Sequence, residues 1–134
     1  MSLNITPLTN AIARLEEGLL VYSRDTRQTL IRDGLIQRFE ITYEIAHKTL
    51  KRHLEQVSPN PAEFDGMPFA DLIRTANERG LLRGDWPAWR RYRDMRAKTS
   101  HTYDEAVAIE VVAGIPAFVD EVRHLRDELA RRVN

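Results

Sequence analysis

Apolar side chains recur at spacings of three and four residues along most of this chain, and nowhere do they alternate with polar ones over the length of a strand bounded by hairpin turns. Spacing of three and four returns to one face of a helix, whereas a half-buried strand needs spacing of two, so the chain is confined to amphipathic α-helices. Leu8, Ile12, Leu15, Leu19 and Tyr22 make the first stripe, and Thr6 and Pro7 fit its N-cap and first helical position. After a polar break at residues 24–27, Ile36, Phe39, Tyr43, Ala46, Leu50 and Leu54 form a longer stripe ending near Val57. Gly34 in its first part costs about 1 kcal/mol relative to alanine, which predicts a bend, an irregular start or close packing there.

Ser58-Pro59-Asn60-Pro61 stops the second helix, because proline lacks the donor and turns its predecessor away from helical angles. A loop to about Pro68 leads to a short third helix with Phe69, Leu72, Ile73 and Ala76, closed by Gly80 with Leu81 and Leu82 behind it. Asp85 and Pro87 open a fourth helix running to about Ser100. The last begins near Asp104, buries Val111, Ile115, Phe118, Val122, Leu125 and Leu129, and is expected to kink at Pro116. Five such helices with mostly short connections predict an all-α fold: an up-and-down antiparallel four-helix bundle with an additional short helix, in one domain over residues 1–134.

Composition narrows the function classes. Twenty Lys and Arg balance twenty Asp and Glu, so no whole-molecule field favours sequence-blind nucleic-acid binding. The absence of cysteine removes disulfides and thiolate chemistry, and no segment approaches the length of a membrane span or reads as a leader, which predicts a cytoplasmic protein away from the membrane. His47, His53 and His124 are not at metal-ligand spacing, there is no D-x-D pair for Mg²⁺, and no glycine-rich loop cradles a triphosphate. No metal and no cofactor are expected, and the chain is not a nucleotidyltransferase by itself.

The chemistry concentrates in Arg96-Ala97-Lys98-Thr99-Ser100-His101-Thr102-Tyr103. On a wheel of about 100° per residue, Trp89, Tyr92, Met95 and Thr99 share one arc of the fourth helix, Arg90, Arg91, Asp94 and Lys98 lie opposite, and Arg96 falls inside the apolar arc. A guanidinium there needs its donors satisfied. Two roles are open: a structural ion pair with Asp33, Glu40 or Glu44 of the second helix, or a clamp on an incoming phosphate. His101 follows at the helix end with Ser100 and Thr102 as polar flanks, and imidazole exchanges a proton near neutral pH. Arg96 and His101 together suit metal-independent attack of a ribose 2′-hydroxyl on its phosphate, Arg96 stabilising the charge that builds. Tyr103 is either a core-edge tyrosine, or a hydrogen-bond donor and acceptor of a transferred group. The Arg90-Arg91-Tyr92-Arg93 run reads as a solvated face ahead of a nucleic-acid stripe.

The R-x4-H-x-Y run from Arg96 to Tyr103 resembles the signature of HEPN-domain proteins, in particular the helical nucleotidyltransferase substrate-binding branch. The segments from Arg32 to Glu40 and from Tyr43 to Leu50 are similar to that family's long helix, so the resemblance covers nearly the whole chain. It implies a homodimeric bundle with the two motifs facing each other, and a minimal nucleotidyltransferase encoded nearby as partner, as in toxin–antitoxin pairs. For the ribonuclease members it implies catalytic roles for Arg96 and His101 on RNA. For the nucleotidyltransferase pairs it implies AMP transfer to Tyr103, or help in holding a nucleotide or other acceptor substrate. The position after the motif arginine, commonly polar in the family, is Ala97 here, which removes a hydrogen-bonding group beside the phosphate site. A dimeric scaffold with Arg96 locked in an ion pair is the reading left if neither activity holds.

Overall fold

The apolar stripes meet on a single aromatic hub. In the computed structural model, which describes residues 3–133, those residues form five α-helices and no strand: α1 (Thr6–Arg24), α2 (Thr29–Val57), α3 (Phe69–Glu78), α4 (Trp86–Lys98) and α5 (Glu105–Val133). Short 3₁₀ turns occupy Pro61–Phe64 and Thr99–His101. Phe118 of α5 is fully buried and meets Phe39 at 4.9 Å and Tyr92 at 5.3 Å between ring centroids, both edge to face. Trp89 and Tyr43 close the cluster at 6.1 and 6.3 Å from the same ring. Edge-to-face pairs at such distances add to area burial, so α2, α4 and α5 are tied at one level of the bundle.

α1 and α2 form a helical hairpin joined by residues 25–28, α5 lies against both, and α3 bridges α2 and α4. This is the expected four-helix bundle with a short extra helix. Several local expectations change. α1 begins at Thr6 itself, with Pro7 in its first turn, and the Thr6 N–H donates to Asn4 Oδ1 at 3.0 Å, so Asn4 supplies the side-chain oxygen expected from Thr6. α2 starts at Thr29 and runs through Gly34, which is exposed and would leave an added Cβ without a neighbour within 4 Å, so no close packing explains that glycine. α5 is one helix with Pro116, the residue expected to kink it, inside it and exposed.

α3 closes as its glycine predicts. Gly80 has φ +77°, its N–H donates to Asn77 O, and the Leu81 N–H reaches back to Ala76 O at 3.0 Å. Leu81 and Ala76 are both fully buried, the apolar contact that accompanies this helix ending.

Candidate functional site

α4 is the platform of the site, and three contacts set its position. Asp85 accepts the Trp86 N–H at 2.8 Å at the N-terminus. The buried Glu121 of α5 accepts the backbone N–H groups of Arg83 and Gly84 at 2.8 and 2.6 Å, which holds the connector in front of α4. A Cβ on Gly84 would come within 2.5 Å of that carboxylate, so the close approach requires glycine. Further along, Met95 packs over Gly114 of α5 so tightly that a Cβ there would lie 2.5 Å from its sulfur. Trp89 and Tyr92 face the core, as their wheel positions predict.

With α4 held this way, Arg96 faces α2 at the edge of the bundle and keeps about a third of its side chain exposed, 32%. Its Nε donates to Glu44 Oε1 at 3.0 Å, and its Nη1 lies 3.1 Å from Glu40 Oε2 and 3.2 Å from Thr99 Oγ1. Glu40 and Glu44 are one helical turn apart on α2, so both carboxylates reach the same guanidinium. Asp33, the third candidate, is exposed and makes no ion pair with Arg96. The Thr99 hydroxyl donates to Arg96 O at 2.7 Å, which ties the end of α4 to the side chain it carries. Nη2 of Arg96 has no acceptor among the described residues, so the guanidinium retains an open donor edge.

The 3₁₀ turn continues α4 directly and ends at the exposed His101. Ser100 and Thr102 spend their hydroxyl hydrogens locally, donating to Ala97 O at 3.2 Å and Thr99 O at 3.3 Å, which closes the turn. Their oxygens remain able to accept. Tyr103 is 87% exposed, with its ring edge-on to the His101 ring at 6.2 Å. It is therefore no core-edge tyrosine. Asp104 then caps α5, accepting the Ala106 N–H at 3.0 Å. Arginine, imidazole and phenol thus share one end of the bundle, with Ala97 exposed between them.

Arg32 belongs to the same end and was not singled out by its sequence. It is buried on α2, its Nη1 is 3.3 Å from Glu105 Oε1, and its Nε has no partner among the described residues. It anchors the first turn of α5, two residues beyond Tyr103. The available signal was its register, since 32, 36, 39 and 43 form one stripe and a cation on an apolar stripe needs an acid.

The remaining histidines are packing and capping groups. The His47 ring meets Phe69 at 4.6 Å, tilted by 60°, and burial pushes its imidazole below the usual histidine range. Burial does the same to His53, with the charges of Arg132 and Arg79 acting in the same direction. His124 Nε2 meets Gly80 O at 3.1 Å behind the end of α3. Among the described residues no three His, Asp or Glu side chains are grouped to hold a metal ion, and no helix is long and apolar enough to cross a membrane.

Known proteins resemble this chain in fold and sequence over nearly its whole length. A solved Haemophilus influenzae structure, described as revealing the fold of a substrate binding domain of a nucleotidyltransferase, superposes with a TM-score of 0.88 at 36% identity, covering 95% of this chain and 99% of that one. A Haemophilus influenzae protein named probable ribonuclease HepT is 37% identical over 138 residues, 97% of this chain and 94% of its own. Residues 3–131 match the family model for nucleotidyltransferase substrate binding protein like sequences. With the bundle, the match along the chain and the likeness in sequence all in agreement, the protein belongs to the nucleotidyltransferase substrate-binding protein-like family.

Proposed function

We propose that this chain is the helical subunit of a two-component nucleotidyltransferase system, pairing with a second copy of itself and working with a minimal nucleotidyltransferase encoded nearby. Arg96, His101 and Tyr103 form its phosphate-handling site. The observation that carries the reading is Tyr103, a phenol 87% exposed beside an imidazole and on the same bundle end as a guanidinium with a free donor edge. A tyrosine left that open costs burial area and is most useful as an acceptor or a contact. In the transfer, the Tyr103 oxygen bonds to the α-phosphorus of a nucleoside triphosphate, the bond to pyrophosphate breaks, and the phenolic proton leaves to His101 or water. The partner supplies the triphosphate site. The exposed Leu30 and Ile109, near the N-termini of α2 and α5, are apolar side chains that a second copy could cover. Incubated with the cognate nucleotidyltransferase and ATP, the wild-type chain gains the mass of a nucleotidyl group and Tyr103→Phe gains none. Unchanged labelling of Tyr103→Phe overturns the assignment.

The relative named probable ribonuclease favours a second reading, metal-independent cleavage of RNA. His101 would take the 2′-hydroxyl proton as that oxygen attacks the adjacent phosphorus, and Arg96 Nη2 would bind the oxygen that gains charge. Cleavage by the purified chain in EDTA, lost in His101→Ala, is its test. RNA left intact by the wild type removes it.

A further inference from the structure

Gly34 serves no contact inside the bundle. A glycine within a helix gives up stability relative to alanine, yet this one has no positive φ, lies exposed, and would carry a Cβ without meeting any atom within 4 Å. Gly18 of α1 is different: its Cβ would lie 3.2 Å from Leu35 Cδ1, so that glycine lets α1 and α2 close on each other. On the outer side of this crossing the two helices leave hollows of about 350 and 260 Å³, which join at Gly34 and Arg38. Ala11, Val21, Ile31 and Ile41 give them apolar walls, and Ile41 is 48% exposed.

The groove continues as a row along α2. At about 100° per residue, Gly34, Ile41, Ile45, Lys48 and Arg52 fall within an arc of roughly 60°, over roughly 27 Å of helix. The first half of the row is apolar and the second half cationic. Lys48 and Arg52 are exposed, as is Arg14 on the facing α1, and none of the three has a carboxylate within 4.0 Å among the described residues. Arg38 spans the groove, donating to Arg14 O at 2.7 Å and to Glu17 Oε1 at 3.1 Å, so the acid lining the groove is already engaged. Glu40 and Glu44, which hold Arg96, fall about 100° away around α2. The row is therefore a separate face from the motif site, and it carries uncompensated positive charge.

We propose that this face seats an acidic amphipathic helix of a partner protein, about 18–20 residues long, with small and apolar side chains over Gly34 and Ile41 and Asp or Glu toward Arg14, Lys48 and Arg52. With no side chain at Gly34, the visiting helix can approach the α2 backbone there, since the distance between packed helices is set by the side chains at their contact. Arg14, Arg38, Lys48 and Arg52 against the single engaged Glu17 select a negatively charged visitor. A second copy closing on this face about a two-fold axis would set the same cations against one another. A groove fits a rod, whereas a bilayer meets a convex face, and none of the residues in the row is aromatic, so bases have no ring to stack on.

The test measures fluorescence anisotropy of the full chain with a labelled helical peptide of about 20 residues, Leu and Ala on one face and Glu on both flanks, beside a scrambled peptide of the same composition. The wild type should bind the helical peptide roughly tenfold more tightly than the scrambled one, and more weakly as salt rises. Gly34→Leu fills the seat with no neighbour to disturb, so its Tm should not fall while its affinity for the peptide drops roughly tenfold. Lys48→Glu/Arg52→Glu alters only exposed side chains, so it should melt with the wild type, lose the acidic peptide and gain a version carrying Lys in place of Glu. Wild-type affinity in Gly34→Leu, or equal binding of the scrambled peptide, would overturn the proposal. It also fails if the wild type sediments as a dimer that Gly34→Leu splits, because a second copy then covers the face. Retention of the chain on phosphatidylserine vesicles, with no binding of the helical peptide, assigns the face to a lipid surface and overturns it too.

Discussion

The middle of the bundle and its motif end use arginine, glutamate and aromatic groups in opposite ways. In the middle, the rings of Phe39, Tyr92, Trp89 and Phe118 pack against one another away from solvent, and the buried acid Glu121 has both oxygens occupied by backbone N–H groups. At the motif end, Arg96 is held on one edge by Glu40 and Glu44 and open on the other, while His101 and Tyr103 face solvent. The difference teaches that rigidity and reactivity are divided between neighbouring turns of one helix. Trp89 and Tyr92 fix α4, and the turn that follows carries the exposed groups without contributing to the core.

This division sets an order of expected stability losses. Phe118→Ala empties the hub and should cost about 3–5 kcal/mol, read as a large drop in the denaturation midpoint. Glu121→Ala strands two backbone donors and should cost about 2–3 kcal/mol in the same measurement. If it costs under about 0.5 kcal/mol, the connector is not held by that carboxylate. Acidification comes next. The folded chain holds His47 and His53 below the ordinary range, so between about pH 6.5 and their folded values the unfolded chain binds more protons. Stability is full above that window and declines as pH falls through it. The slope of Tm against pH should flatten in His53→Gln. Arg96→Met should cost under about 1 kcal/mol, because the pairs it loses are half-exposed. The smallest effect belongs to Tyr103→Phe, whose melt should overlay the wild type while nucleotidyl labelling disappears. A substantial loss of stability there would erase the contrast between the two regions.

How much of this was legible in the residues depended on whether the cause was local. The five helices were, because their stripes, prolines and the Gly80 ending are local patterns. The Arg96 ion pair was legible as a choice among three acids. Glu40 and Glu44 are separated by one turn and can share a guanidinium, whereas Asp33 lies seven residues before Glu40, about 10 Å along the axis. The Asn4 contact was missed since Thr6-Pro7 already resembled a complete helix start. Exposure of Tyr103 was not readable, because nothing in a short connector tells which way a ring turns.

The Glu121 carboxylate has a practical bearing on where foreign peptide can be grafted. Residues 83 and 84 are pinned to α5 from the side, and Gly84 has no room for a larger residue. Extra residues spliced in there would rotate α4 and swing the arginine away from its two glutamates. The exposed bend around Gly66, where an added Cβ meets nothing, is the place for a reporter tag that leaves the chemistry undisturbed.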